Sequence, residues 1–316
     1  MRLVVVTVLA ALLLPSAALA AGPSYVANGG LGVLAGDGKH RYVAVATGGV
    51  TAIERIAVRG GTVTRWGVID GDFGIPQPTM SPNHLEGLTR DGKELVVGSV
   101  AFGKPTTFAV LDTRTFTVRE RFDLPGSFAY DALSPDGKTL YLTQYVDRDT
   151  ANRYVVRAYD LEHQRLVPGR VADKAQASWV MEGFATTRTT SADGRWVYTL
   201  FMRPGGYPFV HALDTVAGVA HCIGLPWTGG DQGPLMRMRL KLTSGESKLA
   251  VNWANGKRWL AVDTRTWKIT HPTATPFRWT WLGVAAVGAL ALLAVLVLLG
   301  RRRVAHARKE VLPQPL

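Results

Sequence analysis

Residues 134–142 read Ser134-Pro135-Asp136-Gly137-Lys138-Thr139-Leu140-Tyr141-Leu142, a small polar turn running directly into a β-rich stretch. The Asp-Gly pair suits a tight hairpin, because Gly, and to a lesser degree Asp, tolerates the positive φ such turns demand. The same turn recurs at Gly36-Asp37-Gly38-Lys39, at Arg90-Asp91-Gly92-Lys93 and at Ala192-Asp193-Gly194-Arg195. A degraded copy stands at Ser244-Gly245-Glu246-Ser247-Lys248.

A second element follows each turn by about 20 residues. It reads Val110-Leu111-Asp112-Thr113, Ala158-Tyr159-Asp160-Leu161, Ala212-Leu213-Asp214-Thr215 and Ala261-Val262-Asp263-Thr264, with a weaker first copy at Ala57-Val58-Arg59-Gly60-Gly61. Each looks like a strand ending in an Asp-led turn. The first marker steps by 54, 45, 57 and 52 residues and the second by 53, 48, 54 and 49. Two markers keeping one period predict five copies of a unit near 50 residues, enough for four strands each.

The 134–141 motif and its repetition resemble the repeats of WD40-like, YVTN and TolB-type β-propellers. The resemblance spans nearly all of 21–276 and concerns the fold, not any member's activity. It implies an all-β propeller of five four-stranded blades, with room for a diverged sixth; an open β-solenoid is the alternative. The Trp-Asp and Gly-His pairs of eukaryotic WD40 repeats are absent. Radial sheets bury both faces against neighbours and leave only short edges to water. Closure is expected where strands from both ends share a blade, residues 24–34 pairing with 260–269.

The chain's ends give an expected address. Residues 3–14 form an apolar run too short to span a bilayer, followed by Pro15, Ser16 and Ala18-Leu19-Ala20, which reads as a signal peptide occupying 1–20. Residues 277–300 contain an apolar stretch of transmembrane length, flanked by Trp279 and Trp281 and closed by Arg301, Arg302 and Arg303. The expected arrangement is an exported domain over 21–276, one span over 277–300 and a short basic cytoplasmic tail over 301–316. A tail that short cannot fold into an output domain.

The exported part contains Cys222, the sole cysteine of the chain, so it must hold together without disulfides. Of the formal net charge of +12, Arg2 and the tail account for five, leaving a moderately basic domain. Outside the cytoplasm this disfavours nucleic acid as a partner and favours approach to anionic lipid headgroups or wall polymers, or serves solubility alone. The architecture and the short tail are what point to a protein or cell-envelope partner.

Candidate site residues follow from the repeat. Five positions before the turn Asp, consecutive units carry Glu86, Asp131 and Arg188, which places ionisable groups at one level of three adjacent inner strands. His84 alternates with Glu86 and can face the same way. These four could bind a cation or polar ligand or hold a carboxylate with a raised pKa, or they could simply form ion pairs between blades. Tyr207 and Trp227, in loops rich in Gly and Pro, are candidate contact residues for a ligand. No metal-ligand spacing, cofactor fingerprint, Gly-x-Ser-x-Gly elbow, Walker loop or HExxH is present. The expectation is a tethered binding, scaffold or sensor module, with a lactonase-like or glycan-acting hydrolase using Glu86, Asp131 and His84 as the rival.

Overall fold

A computed structural model describes residues 26–82, 84–99, 105–147 and 152–271. These residues are all-β, with no α-helix and two short 3-10 turns, Lys174–Gln176 and Gly233–Arg237. None of their helices is long and apolar enough to cross a membrane. The expected signal peptide, the transmembrane stretch and the basic tail lie outside the described residues.

Five antiparallel sheets follow one another along the chain. The first blade is Val33–Leu34, His40–Thr47, Val50–Ala57 and Val63–Asp70. The second is Phe73–Pro76, Glu94–Ser99, Thr106–Asp112 and Val118–Leu124, with Val26–Ala27 added at its inner edge. The third is Ser127–Leu133, Thr139–Tyr145, Arg153–Asp160 and Arg165–Leu166, with Met181–Glu182 on the same outer side. Phe184–Thr190, Trp196–Met202, Phe209–Asp214 and Val219–Gly224 form the fourth, and Arg239–Thr243, Lys248–Asn252, Arg258–Asp263 and Ile269–Thr270 the fifth. Each is a propeller-type blade, and the repeat spacing predicts all five.

The two sequence markers share a period because they touch. Within a blade the residue after the Asp of the second marker returns to the Asp-Gly turn: Thr113 N–H donates to Lys93 O at 2.8 Å, Leu161 to Lys138 at 2.9 Å and Thr215 to Arg195 at 2.8 Å. The Thr113 and Thr215 hydroxyls clamp further onto Gly92 O and Gly194 O. The turn carboxylate accepts from the backbone N–H two residues on, as Asp136 does from Lys138, so an Asx turn starts the second strand of blades 1 to 4.

Packing is blade on blade. One cluster joins blades 1 and 2 through Tyr42, Ile53, Phe73, Ile75, Leu95 and Leu111. Others join blades 2 and 3 around Phe108, Tyr130 and Leu142, blades 3 and 4 around Tyr141 and Leu213, and blades 4 and 5 around Leu200, Leu225, Val251 and Leu260. Strands such as Ser127–Leu133 and Phe209–Asp214 are buried along almost their whole length, because each face meets a neighbouring sheet.

The expected closure is not what forms. Val26 and Ala27 pair with Pro76 and Ile75 of blade 2, Val33 and Leu34 pair with Tyr42 and Arg41 of blade 1, and the last strand pairs only within blade 5. Among the described residues no strand pair, hydrogen bond or apolar cluster joins blade 5 to blade 1. The reason is local: Asn28 ties back to Ala46 through both ends of its side-chain amide, and Gly29, Gly30 and Gly32 take positive φ, turning the chain into the first hairpin.

Candidate functional site

The inner strands of blades 3 and 4 bring Asp131 and Arg188 to one point. Glu86 meets them there from the connection between Phe73–Pro76 and Glu94–Ser99, not from the strand that the equal offset predicts. Arg188, 4% exposed, donates through Nη2 to Asp131 Oδ1 at 2.9 Å and through Nη1 to Glu86 Oε2 at 3.2 Å. Nη1 also reaches Asp131 O at 2.5 Å, and Nε and Nη2 both meet Thr199 Oγ1. All five guanidinium N–H groups have acceptors, as a buried Arg requires. His84 Nε2 lies 2.9 Å from Glu86 Oε1, so the alternation read from the sequence does turn both side chains the same way.

The electrostatics of this cluster are those of a neutralised cation. Burial would raise the Glu86 pKa, but the Arg188 charge and the His84 hydrogen bond outweigh it and hold the carboxyl below its ordinary value. Burial likewise works against the Arg188 cation, and the Glu86 and Asp131 charges more than offset it. Burial, reinforced by the Glu86 charge, pushes Tyr130 far above the usual phenol range. Glu86 is therefore kept ionised as an acceptor and cannot serve as a general acid near neutrality.

The cluster stops at three blades for steric reasons. The matching position in blade 1 is Gly32, at φ +67°, where a Cβ would strike the Tyr42 carbonyl. In blade 5 it is Leu240, which belongs to the apolar cluster with blade 4. A cavity of about 570 Å3 opens beside the cluster, lined among others by Leu34, Glu86, Arg90, Tyr130, Pro135 and Ser191 from four blades, which places it at the radial centre. On the other side a cavity of about 40 Å3, little more than the volume of one water, is lined by Asp131, Tyr154 and Phe201. Asp131 Oδ2 and Tyr154 Oη are both buried without a hydrogen-bond partner.

A different region has the character of a recognition surface. Tyr207 is 67% exposed and Trp179 56% exposed, and both line a cavity of about 540 Å3 whose other walls include Met181, Phe209, Cys222 and Gly224. The ion pair of Arg203 with Glu182, at 3.5 Å, stands on the same wall. A neighbouring hollow shares Tyr207 and continues over Leu225 and Pro226 to Ile269 and His271. Trp227 takes no part in either. Its ring packs at 5.4 Å from Trp259 and 6.2 Å from Trp253, over the end of blade 5.

Sequence reading missed Trp179 and His211. His211 sits in the middle of blade 4, 2% exposed, with Nδ1 3.7 Å from Cys222 Sγ. The pair is chemically quiet: burial pushes the Cys222 thiol up to about 12 and the His211 imidazole below its ordinary value, so both are neutral. No group of three His, Cys, Asp or Glu residues that could hold a metal exists among the described residues.

No protein-family model and no curated protein matches this sequence. Among solved structures, TolB from Acinetobacter baumannii aligns with 17% identity and a TM-score of 0.42, over 78% of this chain and 56% of TolB. Hydrazine synthase from Kuenenia stuttgartiensis aligns with 16% identity and a TM-score of 0.45, over 73% of this chain and 63% of the enzyme chain. The Cps50 (Swd1) β-propeller domain of Myceliophteria thermophila gives 11% identity, a TM-score of 0.43 and 81% and 72% coverage. The chain thus spans well under two thirds of TolB, and the propeller-like fold stands on its own five sheets.

Proposed function

We propose that this chain is an exported, membrane-tethered propeller-like module that binds a protein or other cell-envelope component, with the groove between Trp179 and Tyr207 as its recognition surface. One observation carries the reading. At the centre the Arg188 cation is fully bonded to Glu86, Asp131 and Thr199, whereas two large aromatic rings, Trp179 and Tyr207, stand exposed in the lining of a largely apolar groove. Aromatic side chains give large contact areas at low entropic cost, which suits binding and supplies no chemistry. The tether is the apolar stretch within 277–300, and the signal peptide within 1–20 supplies export.

The test compares the full-length chain in mild detergent with a form ending at residue 276, each with and without Tyr207→Ala and Trp179→Ala. A stoichiometric partner held by both lengths and lost with either alanine supports the groove. A partner retained only by the full-length form and indifferent to the alanines moves the role to the membrane segment. The rival hydrolase predicts turnover of a lactone or glycan that Glu86→Gln or Asp131→Asn abolishes in a folded protein.

A further inference from the structure

We infer that the outer face of blade 1 is a self-association surface and that the chain forms a two-fold symmetric dimer through it. The registers define two faces of this sheet. Tyr42, Ala44 and Ile53 point into the cluster with blade 2. Leu34, Val45, Val50, Val63, Trp66 and Val68 share the opposite face, and all six are exposed, Trp66 to 67%. Of the fifteen most exposed large apolar side chains among the described residues, eight lie between Leu31 and Val68. So dense a patch on one sheet face is unlike scattered surface apolar residues.

Blade 5, the other end of the array, is built for water. Its outward face surrounds buried Ala250 and Ala261 with Arg239, Lys241, Lys248 and Asn252. Repeat arrays cap their solvent-facing ends with polar residues. Blade 5 meets that requirement and blade 1 does not. The polar face is a poor match for the apolar one, so a head-to-tail contact between copies is disfavoured.

A second copy of blade 1 fits for two reasons. Arg41 and Glu54 lie on this face at diagonal register, since Arg41 neighbours Val43 and Val43 pairs with Glu54. A two-fold axis between them sets each Arg41 against the other copy's Glu54, which is how an isologous interface becomes self-complementary. Area sets the strength. Three strands of eight residues, at about 3.3 Å per residue and about 4.8 Å between strands, cover roughly 400 Å2, so two copies bury about 800 Å2 before side-chain relief is added. That sits near the lower limit for a specific interface, about 1,000 Å2, and makes the dimer weak and concentration-dependent.

The test is sedimentation of the intact chain in mild detergent over a concentration series. The dimer fraction should rise with concentration, and Trp66→Glu should weaken it by more than about tenfold without changing the melting temperature. Arg41→Glu should weaken it too, Arg41→Glu with Glu54→Arg should restore it, and Lys241→Glu on blade 5 should have no effect. A monomer at every concentration, or a dimer that neither Trp66→Glu nor the charge reversal touches, overturns the inference. So does a Trp66→Glu variant whose one defect is loss of binding to anionic lipid vesicles, which would assign the face to the bilayer.

Discussion

Arg188 of blade 4 and Asp131 of blade 3 are joined twice, through Nη2 to Oδ1 at 2.9 Å and through Nη1 to the backbone carbonyl at 2.5 Å. The guanidinium thereby fixes the relative height of two blades that share no strand. Removing Arg188 alone strands the buried Asp131 carboxylate and the half-buried Glu86 carboxylate, and Arg188→Ala is expected to cost about 3–5 kcal/mol in urea unfolding. Combining Arg188→Met with Glu86→Gln and Asp131→Asn should recover most of that loss, because no unpaired charge remains. A triple variant as unstable as Arg188→Ala would show that packing, not charge, sets the cost.

Acid should weaken the fold in two stages. Burial depresses His211 below its ordinary value, so the folded state holds fewer protons there than the unfolded chain. Its contribution is complete above the unfolded value near 6.5 and is lost as pH falls below it. Glu86 is depressed below its ordinary carboxylate value, and its contribution is complete above the unfolded value near 4.3 and fades further into acid. Urea midpoints should therefore decline between about pH 7 and about pH 5, and His211→Gln should flatten that limb while leaving the lower one.

Tyr154 tests the orphaned hydroxyl. Its ring stacks 5.4 Å from Phe201 while its Oη has no partner, so the hydroxyl is buried at a cost. Tyr154→Phe keeps the ring and removes the cost, and it should be neutral or stabilising by up to about 1 kcal/mol. Thermal unfolding decides this. A loss above about 1 kcal/mol would mean that the hydroxyl is bonded, with Asp131 Oδ2 across the small cavity the first group to examine.

Gly32 is held at φ +67° against the Tyr42 carbonyl. Gly32→Ala adds both a backbone strain and a contact with main chain that cannot swing away, for an expected loss of about 2–3 kcal/mol. Gly38, at a similar φ of +65°, has open space around it, so Gly38→Ala should cost only the strain. Melting temperatures of the pair separate the two contributions.

Blade count was legible because the two markers are hydrogen-bonded neighbours, so any change in one constrains the other. The meeting of Asp131 and Arg188 was legible for the same reason, since equal offsets from the Asp-Gly turn become equal heights on two inner strands, whereas Glu86 reaches them from a connection that belongs to no strand. Chain closure was not, because it turned on the Asn28 side chain finding Ala46, a pairing with no periodic signature. Trp179 lies in a connection between blades where no marker sets a register. The His211–Cys222 approach depends on two strands pairing at that particular register.

Among the described residues no strand is shared between the first and last blades, and this bears on how the molecule carries tension. In a sealed ring a pull on either terminus is spread over both ends of the chain. Here the last described strand, Ile269–Thr270, is held in register against Val262 and Ala261, its one strand partner among the described residues. A pull entering beyond His271 would peel that strand first, then the rest of blade 5, and reach the Arg188 junction only after a whole blade had been stripped away.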